Sequence, residues 1–280
     1  MIRTTPEETA SFKKQRWRPG PFLLFQLALH GVALLQLMIA PQEWQWAAAI
    51  VLLSQLMMMA ASLWPRSRCL GANLVRLPAA AVQRGEVAIT IDDGPDPHVT
   101  PQVLAILAQH DARATFFCIG ERAAAYPELC RSMLAAGHCI ENHGAHHPTL
   151  CSLSGPTGWR REIMDGQEIL HRITGVTPHF YRAVAGLRNP FLDPVLHACG
   201  LQLASWTRRG FDTRDRHGDK VLQRLTRQLA AGDIMLLHDG NAARTTAGEP
   251  VIVTVLPQLL HSIRDRGLTP VTLAHACNLP

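Results

Sequence analysis

Two adjacent carboxylates, Asp92 and Asp93, stand immediately before Gly94 and Pro95 in this 280-residue sequence. Further along come His143, His146 and His147, then Arg182, then Asp212, and finally the pair His238–Asp239. Two histidines and one carboxylate make a three-ligand site for a zinc-like divalent ion, with a fourth position left for water. Such an ion lowers the pKa of its water and polarises a carbonyl. A second carboxylate can take the water's proton, and an opposing imidazole can give one to a leaving amine. Together these groups suit the hydrolysis of an amide. Taken singly, each is weak. An Asp-Asp pair more often closes a turn or caps a helix, and a chain with 14 histidines yields an HxxxH spacing by chance. Arg182 alone reads as a surface charge, and His238 alone as a satisfied core histidine. Specificity comes from their order and position.

The elements that would position these groups follow from the apolar pattern. Short apolar runs at Val87–Ile91, Ala114–Ile119, His138–Asn142, His179–Ala183, Gln202–Trp206, Ile234–Leu237 and Thr269–Leu273 predict seven strands. Helical segments are expected between them at Trp159–Ile173, Pro190–Cys199, Lys220–Ala231 and Val251–Arg266. Thr100 before Pro101 predicts a helix start with the threonine as N-cap. Gly137, closely following Leu134, predicts a helix end. Alternating strands and helices predict a parallel sheet with both faces covered. Its expected form is a distorted seven-stranded (β/α) barrel, a shortened relative of the eight-stranded kind. Active sites of such barrels gather at the C-terminal ends of the strands. Asp92 and Asp93 follow the first expected strand, and His143 to His147 follow the third. Arg182 ends the fourth, Asp212 comes shortly after the fifth, and His238 follows the sixth.

Ahead of the barrel the sequence changes character. Phe22 to Ala40 carry no charge, and neither do Trp44 to Pro65. Each run approaches or exceeds the ~20 residues needed to span a bilayer. Pro21, Pro41 and Pro65 mark the ends, and Trp17, Trp44, Trp46 and Trp64 fall where interfacial aromatics sit. The short link 41–45 predicts a two-helix transmembrane hairpin, bridged by Gln26, His30, Gln36, Ser54 and Gln55. Two core helices of a soluble protein are the first alternative, opposed by the lack of a polar face. A secretory signal is the second, opposed by a run longer than the usual ~7–15 apolar residues. The expected organisation is a basic tail over 1–20, two spans over 21–65, a linker over 66–84 and a catalytic domain over 85–280. Lys and Arg total 27 against 22 acidic residues, and no basic tract is interleaved with aromatics, so nucleic acid is excluded as a partner class. Seven cysteines, an odd number with no CxxC, read as reduced and mostly buried thiols, which leans towards the cytosol.

These motifs make residues 85–275 resemble the polysaccharide deacetylases, the NodB-homology group of carbohydrate esterase family 4. Thr90-Ile91-Asp92-Asp93-Gly94-Pro95 stands in the place of the family's T-F/Y-D-D-G-P motif. The resemblance implies Asp92 as catalytic base and Asp93 as metal ligand. His143 and His147 match the family's two histidine ligands. Arg182, before Ala183-Val184-Ala185-Gly186, matches the arginine that pairs with the base. Asp212 matches the carboxylate that tunes the acid histidine, and Leu236-Leu237-His238 supplies that acid. The implied cofactor is one divalent ion, zinc first. The chain departs from the pattern at Ile91, at Gly144 (a Ser or Thr in the family), at Val184 and Ala185 (often proline and tyrosine) and at Thr213 (sometimes tryptophan). Ala185 still offers the backbone N–H that stabilises the oxyanion in relatives, while an aromatic wall of the sugar site is lost.

Positive charge near a span stays cytoplasmic. Arg3, Lys13, Lys14, Arg16 and Arg18 precede the first span, Arg66, Arg68 and Arg76 follow the second, and the link holds only Glu43. The expectation is therefore a multi-pass protein of a bacterial-type inner membrane with its catalytic domain in the cytoplasm. There it would meet an N-acylated amino sugar on a membrane lipid. The alternatives are an exported polysaccharide, peptidoglycan or chitin-like oligomer as substrate, and a non-catalytic membrane scaffold that kept the fold.

Overall fold

The computed structural model describes residues 16–279, so Arg3, Lys13 and Lys14 lie outside the described residues. Eight strands form one parallel sheet: β1 (Glu86–Asp92), β2 (Thr115–Cys118), β3 (Cys139–Asn142), β4 (Phe180–Tyr181), β5 (Gln202–Leu203), β6 (Arg208–Arg209), β7 (Ile234–His238) and β8 (Thr269–Val271). The order is β5-β4-β3-β2-β1-β7-β6, a curled half-barrel of seven strands. β8 is added beside the start of β1, with Glu86 opposite Thr269 and Ala88 opposite Val271. β1 is buried along its whole length, because helices cover one face and side chains fill the curl on the other.

The strand expected over Gln202–Trp206 is shorter, and an unexpected strand follows it at Arg208–Arg209. β5 ends at Leu203, and the chain then crosses to the opposite edge of the sheet, where β6 pairs with β7. Just beyond β5 the linker pairs with this segment: Leu74 donates to the Leu203 carbonyl, accepts from the Ser205 N–H and forms a single parallel bridge with Ala204. Thr100 also differs from expectation. It lies inside the helix Thr100–Gln109, and its hydroxyl is turned to Asp239 and to the Asp96 N–H. Asp96 Oδ1 instead receives the His98 and Val99 N–H groups at the turn before the helix. The predicted turn at Gly137 is present, at φ +81°.

Before the sheet come helix α1 (Pro21–Ile39) and helix α2 (Trp44–Leu63), joined by a short 3-10 turn at Pro41–Glu43. Both are long and apolar enough to cross a membrane, and only 11% and 17% of their apolar windows are buried. That exposure separates them from core helices. Their polar residues pair across the hairpin, Ser54 with the Gln26 side-chain oxygen and Gln55 with His30. The end of α2 runs directly onto the barrel rim. The Pro65 carbonyl accepts from Ser205 Oγ at 2.8 Å and from Asn73 Nδ2 at 3.0 Å. A Cβ added to Gly186 would lie 2.5 Å from Pro65 Cβ, so the glycine is what lets the two segments meet.

Candidate active site

Periodicity and register place the first groups. Side chains alternate along a strand. Val87, Ile89 and Ile91 pack under the helices, and Ala88 packs with Ile234 and Leu236 inside the curl. Thr90 lies opposite Leu236, and Asp92 opposite His238. The inner face therefore ends in a carboxylate beside an imidazole. One residue beyond β3 and β4 the ladder continues, with His143 N–H donating to the Cys118 carbonyl and Arg182 N–H to the Asn142 carbonyl, each at 3.0 Å. Asp93 has φ 73°, a left-handed conformation uncommon for a non-glycine residue. The neighbouring carboxylates both reach one cavity of about 200 Å³, which His143, His147, Ala185 and His238 also line.

Asp93 Oδ1 lies 3.2 Å from both His143 Nε2 and His147 Nε2. The three potential donor atoms fall within 4.8 Å of one another. His143 Nδ1 is 2.8 Å from the Arg182 carbonyl, which fixes that nitrogen as the N–H and leaves Nε2 with its lone pair towards Asp93. Asn241 Nδ2 donates to Asp93 Oδ2 at 2.9 Å, and Arg122 donates to the Asp93 carbonyl at 2.6 Å. Two imidazole nitrogens, one oxygen and an outer ring of hydrogen bonds make a donor set that fits a divalent ion of the zinc class.

The loop carrying His147 is braced from behind. Glu162 Oε1 accepts the His146 and His147 N–H groups, each at 2.8 Å. Gly144 has φ +88°, and a Cβ there would lie 2.5 Å from Glu162 Oε1. The family's serine or threonine is therefore excluded at this position by the brace itself.

Asp92 is held differently from Asp93. Arg182, fully buried, donates to Asp92 Oδ1 and to Thr90 Oγ1 at 2.7 Å each, and to the Ala204 and Ser205 carbonyls. Its guanidinium lies 4.0 Å from the Phe117 ring centroid. Burial pushes this arginine down from its ordinary pKa, and the Asp92 charge opposes that. For Asp93, burial would raise the carboxyl, but hydrogen bonds from His143 and His147 hold it well below the usual range. Asp212 sits behind His238, accepting its Nδ1–H at 2.9 Å and its backbone N–H at 2.7 Å. Burial alone would lower His238. The Asp212 carboxylate, with Asp92 and Asp93 beyond it, outweighs burial and lifts the pKa to about 9.

The residues given a role from the sequence are thus brought to one place. Asp92, Asp93, His143, His147, Ala185 and His238 line the cavity, while Arg182 and Asp212 stand immediately behind it. His98 and His146 are exposed on the surface. The sequence reading missed Glu162, Asn241 and Arg122, and named Asp239 without giving it a role. Asn241, three residues after His238, was within reach of motif reasoning. The buried Asp239 is pushed up to about 7 by desolvation and by the charges of Asp93 and Asp96, against the Thr100 hydrogen bond that lowers it. Its side chain explains Gly94, where a Cβ would lie 2.5 Å from Asp239 Oδ1.

Comparison with known proteins points the same way. Residues 79–204 match the family model described as polysaccharide deacetylase. The chain is 33% identical over 190 residues to a peptidoglycan-N-acetylglucosamine deacetylase of Bacillus cereus, covering 67% of this chain and 86% of that protein. It is 32% identical over 200 residues to a chitooligosaccharide deacetylase of Sinorhizobium fredii, covering 68% and 91%. The crystal structure of a peptidoglycan N-acetylglucosamine deacetylase superposes with TM-score 0.67 at 26% identity, covering 74% of this chain and 94% of that one. A pseudoenzyme of carbohydrate esterase family 4 from Bacillus anthracis shares the fold, with TM-score 0.65 at 19% identity over 73% of this chain and 68% of its own. Fold alone therefore does not decide activity.

Proposed function

We propose, from the premise that the chain belongs to the polysaccharide deacetylase family, that it is a metal-dependent hydrolase removing the N-acyl group of an amino sugar. The observation that carries this reading is one cavity holding a three-donor cluster together with a separately held carboxylate and a separately held imidazole. Asp93, His143 and His147 would hold one divalent ion, zinc by donor type, which lowers the pKa of a water and polarises the amide carbonyl. Asp92 stays outside that set. Arg182 holds its Oδ1, and Oδ2 is 3.9 Å from His143 Nε2, facing the cavity as the base for the attacking water. His238, kept as imidazolium by Asp212, donates its Nε2 proton to the departing amine. Ala185 lines the wall of the cavity and offers its backbone N–H to the developing oxyanion. A decayed scaffold would be expected to lack one of these groups, and this chain retains them all.

The finer reading is a lipid-linked amino sugar, deacylated at the cytoplasmic face of a bacterial-type inner membrane that α1 and α2 span. The boundaries expected from the sequence, a tail, two spans, a linker and a catalytic domain from residue 85, belong to this reading. It is supported by Arg16, Arg18, Arg66 and Arg68 flanking the start of α1 and the end of α2, against a link with no Lys or Arg. The contact of Pro65 with the cavity loop at Gly186 also supports it, because it sets the site beside the end of α2. The second reading, an exported peptidoglycan or chitooligosaccharide substrate, is supported by the similarity to peptidoglycan and chitooligosaccharide deacetylases. The test is acetate release by the full chain in lipid nanodiscs, offered N-acetylglucosamine on a polyprenyl phosphate, chitooligosaccharide or peptidoglycan fragments. Preference for the lipid-linked sugar is expected. Preference for polymer, or activity of an externally active reporter fused after Pro280, would put the second reading in its place.

A further inference from the structure

Beside the catalytic cavity lies a second groove of about 480 Å³, and Trp206 and Arg209 line both. The groove runs to the end of α2, where Trp64, Pro65 and Arg66 form its outer wall. Arg66, Arg208, Arg209 and Arg224 all face it, and no acidic residue does. Two of these arginines are already committed: Arg208 pairs with Asp233 and Arg224 with Asp215, each at 2.7 Å. Arg66 makes one long hydrogen bond, 3.3 Å, to the Thr207 carbonyl. Arg209 differs from the rest. Among the described residues it has no ion-pair partner, and its Nε is buried without a hydrogen-bond partner. Its guanidinium is flanked by the Trp206 ring, at 5.3 Å, and the Phe211 ring, at 5.1 Å. The carboxylates whose charge reaches it, Asp92, Asp212 and Asp93, are engaged by Arg182, His238 and the two ligand histidines.

A half-buried guanidinium fixed by two aromatic rings, without an ion-pair partner among the described residues, at the boundary of a cavity and a groove whose charged residues are all basic, is built to receive an anion. The planar fork of arginine matches the oxygens of a phosphate group. We infer that Arg209, with Arg66 at the outer wall, forms a phosphate subsite contiguous with the deacylation cavity, taking the phosphate or diphosphate on the anomeric carbon of the amino-sugar substrate. The inference rests on the deacylase reading and adds the substrate's second recognition element. A sugar with its N-acyl group at Asp93, His143 and His147 would direct its anomeric phosphate into the groove. A lipid tail beyond the phosphate would leave past Trp64 along α2.

The test uses the metal-loaded full chain in nanodiscs, with R209Q and R209K. Acetate release is measured on a neutral chitooligosaccharide, on N-acetylglucosamine 1-phosphate and on the polyprenyl-phosphate-linked sugar. R209Q is expected to lower the ratio of kcat/KM for phosphorylated over neutral substrate by about 10- to 100-fold, as expected for the loss of a charge-assisted hydrogen bond. R209K should recover part of that ratio. Inorganic pyrophosphate, titrated calorimetrically, should bind the R209Q protein at least tenfold more weakly than the parent; coordination to the metal is common to both and cancels. An unchanged substrate ratio with unchanged pyrophosphate binding overturns the subsite and leaves the deacylase reading standing. Arg209-dependent pyrophosphate binding without acetate release from any amino sugar would overturn the deacylase reading and leave the anion site standing. The soluble and lipid-linked phosphates, compared directly, identify the source of the anion.

Discussion

Asp212→Asn isolates the electrostatic control of the acid. His238 titrates at about 9, against about 6.5 for an unperturbed histidine. At about 1.4 kcal/mol per pH unit, the gap is on the order of 3 kcal/mol in favour of the imidazolium. Burial works against that preference, so the carboxylates supply more than the net value, and Asp212 at 2.9 Å supplies the largest share. The amide that replaces it keeps an acceptor for the His238 N–H but loses the charge. The pKa of His238 should then fall to its ordinary value or below. The acid must be protonated to act, so activity is lost as pH rises through that pKa. The alkaline limb of kcat/KM for acetate release should therefore move at least about two pH units lower in the variant. A bound cation lowers the histidine in both proteins, so the difference survives. Stability gives a second readout. A folded pKa raised above the unfolded one contributes stability fully present below about pH 6.5 and lost as pH rises through about 9. The Tm gap between parent and variant should be widest near pH 6 and narrow above pH 9. An alkaline limb that stays in place would refute the role given to Asp212.

Gly144→Ser should destabilise the protein by about 1–3 kcal/mol, because the position has φ +88° and the new Cβ displaces Glu162 from the His146 and His147 N–H groups. Thermal melting checks the stability, and metal affinity should weaken with it. Arg182→Met leaves Asp92 buried beside an apolar side chain, a loss of about 3–5 kcal/mol. Denaturant titration should register it, and turnover should vanish because the base becomes hard to ionise.

Much of the rim was legible because strand periodicity is strict. Once Val87–Ile91 is a buried strand, Asp92 must fall at its C-terminal end, and the same holds for His238 after Ile234–Leu237. Arg182 was legible as a strand-end residue, although its four acceptors come from β1 and from the segment after β5, which no local pattern announces. Glu162 was hidden because it lies on the amphipathic helix Pro156–Thr174, where a glutamate ordinarily marks a solvated face. The pairing of the segment after β5 was hidden because its partner, Leu74, comes from the linker, far away in sequence. Thr100 looked like an N-cap because threonine before proline usually is one, yet the hydroxyl is drawn to buried Asp239. Local preference lost there to a tertiary hydrogen bond.

The central claim divides two adjacent carboxylates: Asp93 joins His143 and His147 as a metal ligand, and Asp92 acts as the base. Metal content and acetate release, measured side by side on purified D92N and D93N, test it most directly. The account predicts near-stoichiometric metal with turnover lost in D92N, and weakened metal binding in D93N that added zinc restores only in part. Equal metal loss in both variants, or full activity of the parent protein after its metal is removed, would contradict it.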